Sequence, residues 1–111
     1  IMAFQHEVET VGTNTILVLH GELDAASAGP LRDAVTEAAS GEGIEKLVLD
    51  MTDLSYMASA GLRVLVFAKQ KLGAGVELVI AGAQPSVVET IELTGFHQSV
   101  TMVDSFDRGG A

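Results

Sequence analysis

Hydrophobic and polar positions run in short segments along this chain, and the period of the pattern changes from one segment to the next. Phe4 to Val11 alternates loosely and reads as an edge strand, with Gly12 to Asn14 turning the chain. Thr15 to His20 is a β-rich run and the firmer second strand, left through Gly21-Glu22-Leu23-Asp24. Ser27 then reads as the cap of a helix from about Ala28 to Ala39, with Pro30 in its first turn, where a missing N–H costs little. Leu31, Val35 and Ala39 follow at spacing four and mark its buried stripe. Gly41-Glu42-Gly43 breaks that helix ahead of a central strand, Lys46 to Met51, whose uninterrupted apolar run predicts burial on both faces under covering helices. Thr52 to Ala58 reads as a polar turn, and Ser59 as the opening of a second helix that ends before Gly73. Val76 to Ile80 is the next strand. Gln84-Pro85-Ser86 opens a third helix through about Leu93, Gly95 stands where a C-cap glycine would, and Ser99 to Val103 is a last short strand. The tail from Asp104 is expected to fray, since Arg108-Gly109-Gly110-Ala111 has nothing to bury. The order ββαβαβαβ predicts an α/β fold, a mixed sheet of four to five strands with helices packed on it.

The second helix carries the most information. At about 100° per residue, Gly61, Val64, Leu65, Ala68 and Leu72 cluster into one arc that should face the sheet. Phe67 falls outside that arc with Arg63 and Lys71 one turn away on either side, which places an aromatic among cations on the outer face, either as a lone exposed Phe or as part of a surface for docking a partner. Ser59 begins this helix. As an N-cap its hydroxyl would satisfy free backbone N–H groups, and that role alone accounts for a serine here. A phosphate on the same oxygen would add a charge of about −1.5 to −2 at the favourable end of the helix dipole, so Ser59 is also a candidate switch, with capping the leading reading on position alone. Asp24 ends the second strand as Ser59 follows the third, and adjacent strands would bring both to one edge of the molecule. By itself Asp24 reads as a residue that organises the turn into the Ser27 cap.

At 111 residues the chain is long enough for one core, and 48% hydrophobic against 19% charged residues predicts a compact fold in a single domain, 1–111. A net charge of −9 argues against nucleic acid or an anionic membrane as partner and favours a basic protein. Half of the six basic residues, Arg63, Lys69 and Lys71, fall on the second helix. Cysteine is absent, which excludes disulfides, thiol catalysis and cysteine metal sites. With no apolar run near the roughly 18 residues of a membrane span and no signal-peptide pattern, the expected compartment is the cytoplasm. Nothing in an acidic domain with short strands signals a dimer.

Enzyme readings find little support. Met57-Ala58-Ser59-Ala60-Gly61 has half of a nucleophile elbow, but Met57 stands where the first glycine must be. His6, His20 and His97 are scattered, and no histidines or acids show metal-ligand spacing on a common helix. Gly41-Glu42-Gly43 and Gly73-Ala74-Gly75 lack the lysine and hydroxyl of a phosphate loop and follow helices, so they read as turns. The chain is not expected to be an enzyme, and no cofactor or metal is called for.

Three stretches together resemble the STAS domain, specifically the small, free-standing anti-sigma factor antagonists of bacteria. Val18-Leu19-His20-Gly21-Glu22-Leu23-Asp24 is similar to that family's strand ending in Gly-x-Leu/Ile-Asp. Leu47 through Leu65 is similar to its strand, Asp-Leu-Ser and Ser-x-Gly-Leu core, and Pro85 through Phe96 to its third helix and exit. The resemblance covers about Phe4 to Phe106. It implies a protein that binds an anti-sigma factor which is also a serine kinase, and so releases a sigma factor. The kinase then uses ATP to phosphorylate the antagonist on the serine that opens the second helix, by position Ser59, and a serine phosphatase resets it. The resemblance also implies that Asp24 borders the partner surface, and the expected docking site joins Asp24 and Ser59 to Ala58 and to the outer helix positions Arg63 and Phe67. The chain departs from the family at Ala58, where Asp or Ser usually precedes the phosphorylated serine. STAS domains that are never phosphorylated serve lipid-transport or signalling complexes, so a constitutive scaffold subunit is the alternative that the resemblance leaves open.

Overall fold

The computed structural model describes residues 3–108. Five strands, β1 (Gln5–Val11), β2 (Asn14–Leu23), β3 (Lys46–Met57), β4 (Glu77–Ala81) and β5 (Thr101–Val103), alternate with three helices, α1 (Ala25–Ala39), α2 (Ser59–Lys71) and α3 (Pro85–Leu93). The order matches the ββαβαβαβ expected from sequence. The strands form one mixed sheet in the order β1-β2-β3-β4-β5, with β1 antiparallel to β2 and all other pairs parallel. Because β2 through β5 step across the sheet in one direction, right-handed crossovers place every helix on the same face. The central strand is buried on both faces as expected, but helices cover only one of them. Leu17, Leu19, Leu47, Leu49 and Ile80 point to the helices and form the main core with Leu31, Val35, Leu65, Ala68 and Ile91.

The opposite face is sealed by a different device. Ile16, Val48, Val79 and Ala81 make a smaller apolar cluster against which Val18, Val103 and Phe106 pack. The segment after β5 thus returns across the sheet. Lys46 lies 6.0 Å from the Phe106 ring centre. Arg108 then spans two strands, its Nε donating to Glu9 of β1 at 2.9 Å and its Nη2 pairing closely with Asp50 of β3. Burial pushes the Asp50 carboxyl up, but hydrogen bonds from Arg108 and from the Thr52 backbone and hydroxyl outweigh it and hold the group below its ordinary range. The expectation of a tail frayed from Asp104 is therefore corrected for 104–108; residues 109–111 lie outside the described residues.

Further boundaries differ from the sequence reading, each for a local reason: β2 does not end at His20 but runs to Leu23, because Gly21, Glu22 and Leu23 stay paired with the extended end of β3. Helix α1 begins at Ala25, and its N-cap is Asp24, with Ser27 at the third helical position completing a reciprocal capping box. Pro30 consequently lies in the second turn, where both it and Ala26, whose carbonyl loses a partner, face water. Strand β3 does not stop at Met51 but runs to Met57, so 52–57 is strand rather than turn. Its pairing with β2 slips twice, between Val18 and His20 and again between Gly21 and Glu22. These bulges spoil the period-2 alternation and leave Met51, Leu54 and Met57 buried at spacing three. At α3 the expected C-terminal glycine is present: Gly95, with φ of 78°, follows the cap Thr94 and leads into a 3-10 turn, Phe96–Ser99, that shortens the last strand.

Candidate functional site

The parallel strands β2 and β3 end side by side, and their ends set the position of every residue in the site. Leu23 pairs with Met57, and the Ala58 N–H donates to the Leu23 carbonyl at 2.8 Å. Asp24 and Ala58 therefore leave the sheet as neighbours, at the carboxyl edge where parallel sheets expose loops and helix starts. Gly61 fixes the helix against this edge. A Cβ there would lie 2.7 Å from Leu23 and 2.8 Å from Met57, so only glycine lets α2 approach so closely.

Ser59 is not the cap of α2. The N-cap is Ala58, with extended backbone and no side chain to accept a hydrogen bond, and Ser59 is the first helical residue. The side chain of Ser59 is exposed, and its hydroxyl makes no hydrogen bond with any described residue. A serine that caps would have its oxygen occupied, whereas this one presents it to solvent beside unsatisfied N–H groups at the positive end of the helix dipole. Asp24, exposed as well, is partly committed: its Oδ1 accepts from the Ala26 and Ser27 N–H groups at 3.1 and 3.2 Å and from the Ser27 hydroxyl at 3.0 Å. Its capping role and its place beside Ser59 thus coexist.

The helix arc expected to face the sheet does so: Gly61, Val64, Leu65, Ala68 and Leu72 are buried, joined by Leu62. Arg63 is exposed one turn beyond Ser59. Phe67 is not a free aromatic on the outer face. It is half-buried against the core, and the Arg32 guanidinium of α1 lies 4.0 Å above its ring centre. Its displacement from the arc points it sideways toward α1, which the helical wheel of α2 alone does not contain. Between the two helix starts lies an open cleft of about 370 Å³, lined by Ala25, Ala28, Gly29, Arg32, Ala60 and Arg63. The sequence reading missed Arg32. Its signal was the stripe Ala25, Ala28, Gly29, Arg32, which is a helical face only once α1 begins at Ala25. Tyr56, 49% exposed at the end of β3, is likewise absent from the sequence expectations, because the polar segment 52–58 has the composition of a turn.

His20 is held on the helix-free face of the sheet between Glu7, at 3.2 Å, and Asp53, at 3.6 Å. Among the described residues no group of three or more His, Cys, Asp or Glu is placed to hold a metal, and no helix is long and apolar enough to cross a membrane.

Known proteins share this arrangement. The STAS domain family model matches residues 5–109. BtrV of Bordetella bronchiseptica, a protein named as an anti-sigma factor antagonist, is 36% identical over 97 residues, which span 86% of this chain and 83% of BtrV. The crystal structure of an anti-sigma factor antagonist from Mycobacterium paratuberculosis has the same fold, with a TM-score of 0.87 at 23% identity over 95% of this chain and 89% of that one. The Bacillus cell fate determinant SpoIIAA, solved in its phosphorylated form, has a TM-score of 0.68 at 21% identity over 90% of each chain.

Proposed function

The chain belongs to the STAS domain family, and from that premise we propose that it is an anti-sigma factor antagonist switched by phosphorylation of Ser59. The unmodified protein binds an anti-sigma factor that is also a serine kinase, docking the edge built from Asp24, Ala58, Ser59 and Arg63, and a sigma factor is released. Phe67 contributes from beneath, by holding Arg32 along the flanking cleft. In the complex the Ser59 oxygen attacks the γ-phosphorus of ATP bound to the kinase. An O–P bond forms, the bond to the bridging β,γ-oxygen breaks, ADP leaves and the hydroxyl proton passes to the kinase. A serine phosphatase reverses the modification by hydrolysis. The observation that carries this reading is the exposed Ser59 hydroxyl, without a hydrogen bond to any described residue, at the first position of α2 where the chain leaves the sheet beside the end of β2 and Asp24.

The effect of the phosphate falls on the complex. A helix N-terminus favours an anion by about 0.3–1 kcal/mol, so the free protein tolerates the group. In a docked interface the same dianion is stripped of water, and without a matched cation that costs several kcal/mol. A loss of about 3 kcal/mol weakens binding more than a hundredfold.

Ala58 favours a second reading, a constitutive scaffold subunit, because the residue before Ser59 supplies no polar group to a kinase. Intact-mass spectrometry of the protein incubated with ATP and kinase-type anti-sigma factors of its own genome separates the two. The switch predicts a gain of one phosphate that Ser59→Ala abolishes. Tight binding with no gain of mass, unaffected by Ser59→Ala, overturns the switch and leaves the scaffold.

A further inference from the structure

Strand β1 is an edge strand, and its outer side is paired with no described strand. Over seven residues, about 23 Å at about 3.3 Å per residue, it offers backbone N–H and C=O groups as a template for another strand. His6, Val8 and Thr10 pair with Leu19, Leu17 and Thr15 and so point to the helix side of the sheet, but no described helix covers them. They face α1 across an open groove of about 460 Å³ whose far wall carries Asp33, Ala34 and Glu37. Val8 on the floor of this groove is 58% exposed.

The electrostatics of the groove are as one-sided as its shape. Asp33 and Glu37 stand one turn apart on the exposed face of α1, and neither has an ion pair or side-chain hydrogen bond with a described residue. Like charges at this spacing oppose each other, so the pair gains from a cation supplied from outside. The acidic excess of the whole chain, −9, draws basic segments toward it. The groove also continues toward Asp24. A second cleft, about 370 Å³, runs from Phe4 past Glu22 to Asp24, and His6 and Pro30 line both.

We propose that this groove takes an extended, basic segment of a partner protein, which adds to β1 as a sixth strand and sets alternate Lys or Arg side chains against Asp33 and Glu37. Main-chain pairing along β1 supplies the affinity, and the two carboxylates supply the preference for cations. A second copy of this chain is a poor occupant, since antiparallel pairing centred on Val8 opposes Glu7 to Glu9 and joins two molecules of the same charge. The inference does not depend on Ser59, although a segment leaving the groove past Pro30 emerges beside Asp24.

The test uses the whole protein, ¹⁵N-labelled, and the end-blocked peptide Lys-Val-Lys-Val-Lys-Val-Lys. Titration followed by amide chemical shifts is expected to perturb 5–11 and 33–38 most strongly. The double variant Asp33→Asn, Glu37→Gln, at exposed positions that leave the fold intact, is expected to weaken binding about fivefold. A peptide of the same sequence with alternate backbone nitrogens methylated is expected not to bind. Equal shifts with the methylated peptide, or shifts spread over the acidic surface without focus on β1, overturn the proposal. Sedimentation showing that the protein pairs with itself through β1 also overturns it. Ser59→Ala leaves every one of these results unchanged.

Discussion

Ala58 stands at the one position where α2 asks for a polar side chain. Serine, threonine, aspartate and asparagine at an N-cap accept from the second or third helical N–H, and replacing them by alanine typically costs about 1 kcal/mol. Here the alanine is native, so the change runs the other way. Ala58→Ser or Ala58→Asp should stabilise the fold by about 1 kcal/mol and raise Tm by roughly 4–8 °C in thermal unfolding. No rise would mean that the backbone at Ala58 cannot turn a cap inward. The same position explains why Ser59 reads as a cap from sequence. Serine before an apolar helical stripe is the usual signature of a helix start, and the signature is correct here to within one residue. At α1 the exchange is between two good cappers. Asp24 and Ser27 both suit the cap, and their reciprocal hydrogen bonds show that each serves the helix start, with Asp24 outermost. What sequence does convey at this scale is adjacency: Asp24 and Ser59 come to one edge because two parallel strands end together.

The segment 104–108 behaves as an additional element, although it has no regular structure. It closes the face that α1, α2 and α3 leave open, with Phe106 on the small apolar cluster and Arg108 tying β1 to β3. Asp50 has its pKa lowered in the folded chain, because the hydrogen bonds from Arg108 and Thr52 exceed the effect of burial. A carboxyl with a depressed folded pKa adds stability that is fully present above its unfolded pKa, about 3.9, and is lost as the pH falls through the folded value. Arg108→Ala should therefore lower Tm by several degrees at pH 7, for a loss of about 1 kcal/mol. The gap to the parent protein should narrow below about pH 4 as Asp50 is protonated, leaving only what the Arg108 contact with Glu9 contributes. Equal Tm values for variant and parent at pH 7 would show that Phe106 alone holds the segment. The strap is invisible from sequence because an arginine followed by glycines offers no apolar periodicity, and its partners lie 58 and 99 residues away. The end of β3 is hidden for a different reason. Two bulges convert alternation into a spacing of three, and Thr52-Asp53 with Ser55 then looks like turn chemistry. Elements with regular periods, such as the α2 arc and the apolar core of β3, were legible. Those whose pattern depends on a bulge or on a distant charge were not.

For the molecule as a whole, the packing argues that a switch at Ser59 would work without moving the fold. Helix α2 is seated on the sheet by Gly61 against Leu23 and Met57, and behind that contact Leu62, Val64, Leu65 and Ala68 join one continuous core with strands β2 to β4. Close-packed interiors resist graded deformation, so a charge added on the exposed side of the first turn has little means of shifting the sheet. It would have ample means of opposing a partner docked as proposed, since that docking must dehydrate the surface on which a Ser59 phosphate would stand. The phosphorylated and unmodified proteins are therefore expected to share one fold. In amide spectra of the two forms, shifts should be confined to the edge, from Leu23 to Ser27 and from Met57 to Arg63. Val48, Leu49 and Ile80, at the centre of the sheet, should be unmoved. Changes spread across those strands would show that the modification acts by reshaping the domain. With shifts confined to the edge, affinity for the anti-sigma factor falling more than a hundredfold would place the whole effect in the interface.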